Sequence, residues 1–288
     1  MLENVIELDC DPASLRVVAE GLATDAADFV RRRRAEVFGD RSEGGGADAE
    51  DAVRAKSTPT DPVTVVDTET ERLLRDRLAE LRPGEPVLGE EEGGSTTAVA
   101  GRPLWVLDPI DGTVNFVYGI EAYAVSVGVQ VDGASVAGAV ANVPTGEMFS
   151  AAVGLGAHVR RGGVSTPLRC TAVEELSMAL VGTGFGYARE QRVRQAAVMA
   201  QLLPDVRDLR RIGSCALDLC MVAAGRLDAY YEDGVHVWDW AAAALIAAEA
   251  GAHVRLPPID GSGSGLIVAA APGIAEDFDD ALRGAGAS

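Results

Sequence analysis

The stretch Trp105-Val106-Leu107-Asp108-Pro109-Ile110-Asp111-Gly112-Thr113 decides how this chain is read. Trp105 to Leu107 is a short apolar run suited to a buried strand, and Pro109, which has no N–H, is expected to end its ladder. Asp108 and Asp111 then stand where the strand leaves its sheet, facing a helix expected to begin around residues 112–115. The N–H groups of a helix start point at a phosphate, and its dipole favours negative charge. A cation site and an anion site would lie side by side.

Working outward, two further segments carry acids in matching positions. Glu90 lies in Leu88-Gly89-Glu90-Glu91-Glu92, and Asp239 in Trp238-Asp239-Trp240-Ala241-Ala242. Each segment ends a strand-like run or opens an alanine-rich, helix-like one, where carboxylates can converge in a cleft. Oxygen-only clusters suit hard cations, and Mg²⁺ is usually held by a few carboxylates plus substrate phosphate. The set predicts a magnesium-dependent phosphate-ester site.

Composition is compatible with that reading. The chain has 288 residues, 48% of them hydrophobic, enough for one large domain or two fused halves. With 25 Lys plus Arg against 44 Asp plus Glu, the formal charge is −19. A field of that sign opposes direct binding of nucleic acid or an anionic membrane. It also repels a phosphorylated metabolite unless cations intervene. The start, Met1-Leu2-Glu3-Asn4-Val5, shows no signal-peptide pattern. No apolar run reaches the roughly 20 residues of a membrane span. Cys10, Cys170, Cys215 and Cys220 lack metal-type spacing and fit a reducing cytosol, so a cytoplasmic protein is expected.

Asp11-Pro12 is expected to cap and open a helix whose apolar face includes Leu15, Val18, Ala19, Leu22, Ala26, Phe29 and Val30. Arg31 to Arg34 are placed in its last turn, complementing the helix dipole. Gly39 to Asp51 reads as a loop. Thr68-Glu69-Thr70-Glu71 has capping-box spacing and opens a second helix that stops at Pro83-Gly84. From Tyr123 to about Val159, β-branched runs alternate with turn residues, which predicts an antiparallel meander. Later runs at 179–183, 227–231 and 266–271 alternate with helical stretches at 189–203, 214–224 and 239–250, a second layered α/β unit. The expected division is residues 1–160, a metal-binding α+β half, and 161–288, an α/β half completing the site. His158, His236 and His253 have no ligand spacing and are assigned structural or surface roles.

The Asp-Pro-Ile-Asp-Gly-Thr string, the upstream Gly-Glu-Glu and the late Trp-Asp-x-Ala-Ala together resemble the three signatures of the inositol monophosphatase family. The resemblance runs from about residue 15 to 283 and is strongest to the bacterial subgroup called SuhB-like. It implies an α+β fold, a layered α-β-α-β-α sandwich with an antiparallel sheet in the N-terminal half and a mixed sheet in the C-terminal half. It also implies a homodimer, lithium sensitivity and Mg²⁺-dependent phosphomonoester hydrolysis by a metal-activated water, without a phosphoenzyme.

Carried across residue by residue, Glu90, Asp108 and the carbonyl of Ile110 resemble ligands of one metal. Asp108, Asp111 and Asp239 resemble ligands of a second. Thr113 with Asp67 looks like the pair that polarises the attacking water, although Asp67 also reads as the N-cap of the second helix. Gly89 favours Glu90 over Glu91 as the ligand. Gly112 and Thr113 would meet phosphate. Lys56, in Lys56-Ser57-Thr58-Pro59-Thr60-Asp61, resembles part of a loop over the site and reads equally as a surface lysine. Gly213, Ser214, Cys215, Glu232 and Asp239 match positions that meet the inositol ring. Cys215 departs from the alanine often found there, and Glu121 from a common proline. The substrate expected is myo-inositol 1-phosphate or a close polyol phosphate, with histidinol phosphate and 3′,5′-nucleotides as alternatives. A protein-binding, transcription-related role beside catalysis is a reading from a different class.

Overall fold

The computed structural model describes residues 10–39, 53–56, 62–94, 100–257 and 265–287. The expectations for Met1 to Val5, for most of Gly39 to Asp51 and for Ser57 to Asp61 lie outside them.

Helix α1 (Pro12–Phe38) begins as its sequence demands: Asp11 Oδ2 accepts the Ser14 N–H at 3.0 Å, and Pro12 occupies the first turn. It runs past the four arginines, which are therefore not in its last turn. Three of them form tertiary contacts instead, while Arg32 lies over the Phe29 ring of the same helix. Arg31 donates to the Val143 carbonyl, Arg33 to Glu69, and Arg34 to the Phe116 carbonyl. Helix α2 (Val65–Leu81) starts a turn earlier than expected. Its capping box pairs Thr64 with Asp67, so Thr68 and Glu71 lie inside the helix and Asp67 is the third helical residue rather than the N-cap.

Two short strands, β1 (Val53–Ala55) and β2 (Pro62–Thr64), pair with each other. The main sheet contains β3 (Val87–Gly89), β4 (Gly93–Gly94), β5 (Pro103–Asp111), β6 (Ala124–Val131), β7 (Ala134–Asn142), β8 (Met148–Ala152), β9 (Ala157–Arg161) and β10 (Val164–Pro167), in the order β10-β9-β8-β7-β6-β5-β3-β4. Strands β6 to β9 are the expected meander. The sheet is antiparallel except for β3 and β5, which are parallel, with Gly89 opposite Leu107. That exception places Glu90 beside Asp108 at one end of two strands running the same way. The β9–β10 hairpin carries this sheet to Pro167, past residue 160.

Pro109 does not end β5. A bulge between Asp108, paired with Ser126, and Asp111, paired with Ala124, absorbs it, and pairing resumes. Three positions separate the aspartates on β5 but two separate their partners on β6. In a regular strand, residues three apart face opposite ways. The extra residue re-aims one side chain, and both carboxylates reach the same cleft.

After the short helix α3 (Thr113–Tyr118), the second sheet is mixed, in the order β12-β11-β13-β15-β14. Its strands are β11 (Leu180–Thr183), β12 (Asp208–Arg210), β13 (Ala229–Val235), β14 (His253–Arg255) and β15 (Gly265–Ala270), with β11 parallel to β12 and β13 and the other pairs antiparallel. Between the sheets lie α5 (Cys215–Ala223) and α6 (Val237–Glu249), while α4 (Arg189–Leu202) and α7 (Ala275–Gly284) cover the far face of the second sheet.

Side chains alternate across each sheet. Trp105, Leu107, Val125, Val127 and Val129 pack with α1 and α2, whereas Leu104, Val106, Ala124 and Val140 pack with α5 and α6. The layers are α-β-α-β-α. Helix α6 lies very close to the main sheet because Gly128 and Gly138 have no side chain: a Cβ on either would sit 2.8 Å from Ala241 or Ala242. This approach brings the start of α6, and Asp239, to the end of β5. No described helix is long and apolar enough to cross a membrane.

Candidate active site

A cleft of about 440 Å³ opens where β3 and β5 end and α3, α5 and α6 begin. It is lined by Glu90, Asp108, Ile110, Asp111, Asp239 and Glu232, with Lys56, Gly112, Thr113, Gly213 and Cys215 also on its wall. Asp67 and Ser214 reach it through partners: Thr113 Oγ1 lies 3.0 Å from Asp67 Oδ1, and Ser214 Oγ donates to Asp111 Oδ2 at 2.5 Å. The residues assigned to the site from the sequence thus meet around one cleft.

Four of the acids accept backbone N–H groups. Asp108 Oδ1 accepts the Ile110 N–H at 3.0 Å, a contact made within the bulge. Asp111 Oδ2 accepts the Ala216 N–H at 2.7 Å as well as the Ser214 hydroxyl, and Ser214 itself caps α5. Asp239, third residue of α6, accepts the His236 N–H at 2.6 Å. Asp67 Oδ2 accepts both the N–H and the hydroxyl of Thr64, which fixes Oδ1 toward Thr113. Oxygens of Asp108, Asp111 and Asp239, one from each, all lie within 4.8 Å of one another.

Burial first, and then the density of charge, shape the acid–base behaviour. Burial, then repulsion from Glu90, Asp111 and Asp239, pushes Asp108 well above the usual carboxylate range. Asp239 is raised by burial and then by Asp111 and Glu90. Burial raises Asp111 to about 7 against the opposing bonds from Ser214 and Ala216, and raises Asp67 to about 6. A cluster of converging oxygens that resists ionisation in the absence of a cation is a donor set suited to a hard divalent ion.

Lys56 Nζ donates to Glu90 Oε1 at 2.8 Å and to Glu91 Oε1 at 2.5 Å. Burial lowers its pKa, but the two glutamates more than offset this and raise it. Between Glu90 and Glu91, it is Glu90 that lines the cleft. Cys215 is buried and lies on the wall, and burial pushes its thiol up. His236 lines the cleft, precedes α6 and stacks on Trp238 at 4.8 Å between ring centroids.

Sequence reading missed several residues. Glu71 is fully buried and accepts the N–H groups of Glu91 at 2.7 Å and Glu92 at 3.0 Å, holding the turn that presents Glu90. Arg75 pairs with it at 2.8 Å, and a Cβ on Gly89 would overlap its carboxylate. Asn115 Nδ2 donates to the carbonyls of Ala122 and Ile212, at 2.8 and 2.9 Å, tying α3 to the segment that carries Gly213. Only the adjacency of Gly89 to the glutamates hinted at the first of these.

This fold and acid set define a member of a metal-dependent sugar-phosphatase class, and comparison with known proteins agrees. The profile of the inositol monophosphatase family matches residues 11–282, and the chain belongs to that family. It is 67% identical over 281 residues to a Mycobacterium leprae protein named inositol-1-monophosphatase, covering 96% of this chain and 95% of the relative. The solved structure of Mycobacterium tuberculosis SuhB superposes with a TM-score of 0.82 at 58% identity, over 97% of this chain and 99% of that one. A Pasteurella multocida relative, 38% identical over 233 residues with 77% and 82% coverage, carries the name Nus factor SuhB.

Proposed function

We propose that the chain hydrolyses myo-inositol 1-phosphate, or a closely related polyol phosphate, in a Mg²⁺-dependent reaction. The observation that carries this reading is the convergence of Asp108, Asp111 and Asp239 oxygens within 4.8 Å, beside the Thr113–Asp67 pair. Glu90, Asp108 and the Ile110 carbonyl would hold one cation, and Asp108, Asp111 and Asp239 a second. Bound there, Mg²⁺ supplies Lewis-acid polarisation of the phosphoryl oxygens and an acidified water.

The protein's own residues do the remainder. Thr113 Oγ1 lies 3.0 Å from both Asp67 Oδ1 and the Ile110 carbonyl, but carries a single proton. If a cation held that carbonyl, the Thr113 proton would be left to Asp67, and an Oγ1 lone pair would be free to accept a hydrogen bond from the attacking water. Asp67 is the base behind it, held in place by Thr64. Gly112 and Thr113 offer N–H groups to the phosphate, and Lys56 offers charge when it releases Glu90. Gly213, Ser214, Cys215 and Glu232 form the wall against the alcohol, where a carboxylate accepts hydrogen bonds from ring hydroxyls.

Residues 1–160 supply Glu90, Asp108 and Asp111, and residues 161–288 supply Ser214, Glu232 and Asp239, so the two halves act as one catalytic body. A cytoplasmic homodimer inhibited by Li⁺ completes the reading. The Pasteurella relative's name supports a protein partner as a second role, and the charge of −19 suits a basic one. Phosphate release should be measured from inositol 1-phosphate, histidinol phosphate, nucleotide and sugar phosphates, each with Mg²⁺ and with EDTA. Inositol 1-phosphate should be turned over fastest and only with Mg²⁺. Preference for histidinol phosphate or a nucleotide would replace the substrate, and turnover in EDTA would overturn the metal reading.

A further inference from the structure

We propose that Tyr230 is a positioning residue that clamps Glu232 through one oxygen, leaving the other to read a hydroxyl of the substrate's alcohol. This rests on the polyol-phosphate reading above. Tyr230 is fully buried and does not line the cleft, whereas Glu232 does. The two are separated by one residue on β13 and share its inner face, the face that packs on α5 and α6. The Tyr230 hydroxyl donates to Glu232 Oε2. Gly184 also lies against the same carboxylate, where any Cβ would overlap it. Glu232 is therefore confined by a phenol that bonds it and by a backbone position with no room for a side chain.

The clamp also explains how a fifth carboxylate can stand beside four others without joining them. Glu232 is not among the three acids whose oxygens converge as a cation site. A donor bound to its charged form both stabilises the carboxylate and stops it from swinging toward the cations. Tyr230→Phe removes the hydroxyl and little else, and should free Glu232 to move.

The test is a double-mutant cycle of Tyr230→Phe and Glu232→Gln, reading kcat and KM for myo-inositol 1-phosphate and for 4-nitrophenyl phosphate at saturating Mg²⁺. The readout is the ratio of kcat/KM values for the two esters, since a general structural defect lowers both alike. Tyr230→Phe should reduce that ratio by about tenfold, the size of a lost charge-assisted hydrogen bond, mainly through KM for the inositol ester. Added to Glu232→Gln, it should reduce the ratio no further. Gly184→Ala, whose Cβ would overlap the same carboxylate and displace it, should reproduce the selective loss and serves if the buried tyrosine variant fails to fold. Equal losses on both esters, or losses that add in the double variant, would overturn the clamp. If another polyol phosphate proves to be the preferred substrate, the substrate reading falls while the clamp is read on that ester instead.

Discussion

Asp108 accepts a single backbone hydrogen bond, from Ile110, and stands in the repulsion of Glu90, Asp111 and Asp239. Asparagine can keep that bond through its amide oxygen while removing the charge. Asp108→Asn should therefore raise the melting temperature of the metal-free protein, by about 2–4 °C for each kcal/mol of repulsion relieved. A fall measured by differential scanning calorimetry in EDTA would show that Asp108 is structurally required. Glu71 behaves in the opposite way. Its carboxylate accepts two N–H groups and pairs with Arg75 in a fully buried position. Glu71→Gln should lower the melting temperature by several degrees and raise the half-saturating Mg²⁺ concentration several-fold, because charged hydrogen bonds of this kind contribute about 1.5–3 kcal/mol each. An unchanged Mg²⁺ dependence would mean that the turn keeps Glu90 in place without it. The carboxylates of the cleft were legible in sequence because metal chemistry restricts residue type and adjacent signals restrict place. Glu71 was not legible, because its partners are backbone groups about twenty residues away, and backbone groups leave no mark in a sequence.

The elements show the same division. The meander, the second α/β unit and the Asp11-Pro12 helix start could all be read from local patterns. The parallel pairing of β3 with β5 and the bulge in β5 could not, since both depend on which strand lies alongside. The start of α2 was misplaced because Thr68-Glu69-Thr70-Glu71 fits the capping-box spacing as well as Thr64 to Asp67 does. Tertiary placement of Asp67 under Thr113 selects the earlier box. Asp239 illustrates how element and site share one side chain: it caps α6 through the His236 N–H and faces the cleft. Asp239→Ala should therefore remove a cap as well as a charge. Loss of a cap costs roughly 0.5–2 kcal/mol, so its metal-free melting temperature should lie below that of Asp108→Asn. The reverse order would show that repulsion outweighs capping at this helix.

At the scale of the whole molecule, two sheets and two buried helices meet at the cleft, so its electrostatics weigh on the stability of the entire body. Asp67 is raised to about 6, and Asp111 and Glu91 to about 7, each chiefly by burial. These folded values lie above those of an unfolded chain, so the folded state holds its protons more tightly. The stabilisation these three groups contribute is then fully present below about pH 4 and is lost as pH rises through about 6–7. Stripped of metal, the protein should melt several degrees higher at pH 5 than at pH 8, and Mg²⁺ should restore the difference at pH 8. A metal-free melting temperature that rises with pH across this range would contradict the account. The central claim is that acids from both sequence halves assemble one cation-dependent phosphatase site. It is tested most directly by phosphate release from myo-inositol 1-phosphate as Mg²⁺ is titrated into the wild-type protein and the Asp108→Asn variant. The account predicts saturable, Mg²⁺-dependent turnover in the wild type and almost none in the variant at any Mg²⁺ concentration, whereas turnover that persists in EDTA, or that the variant retains, would contradict it.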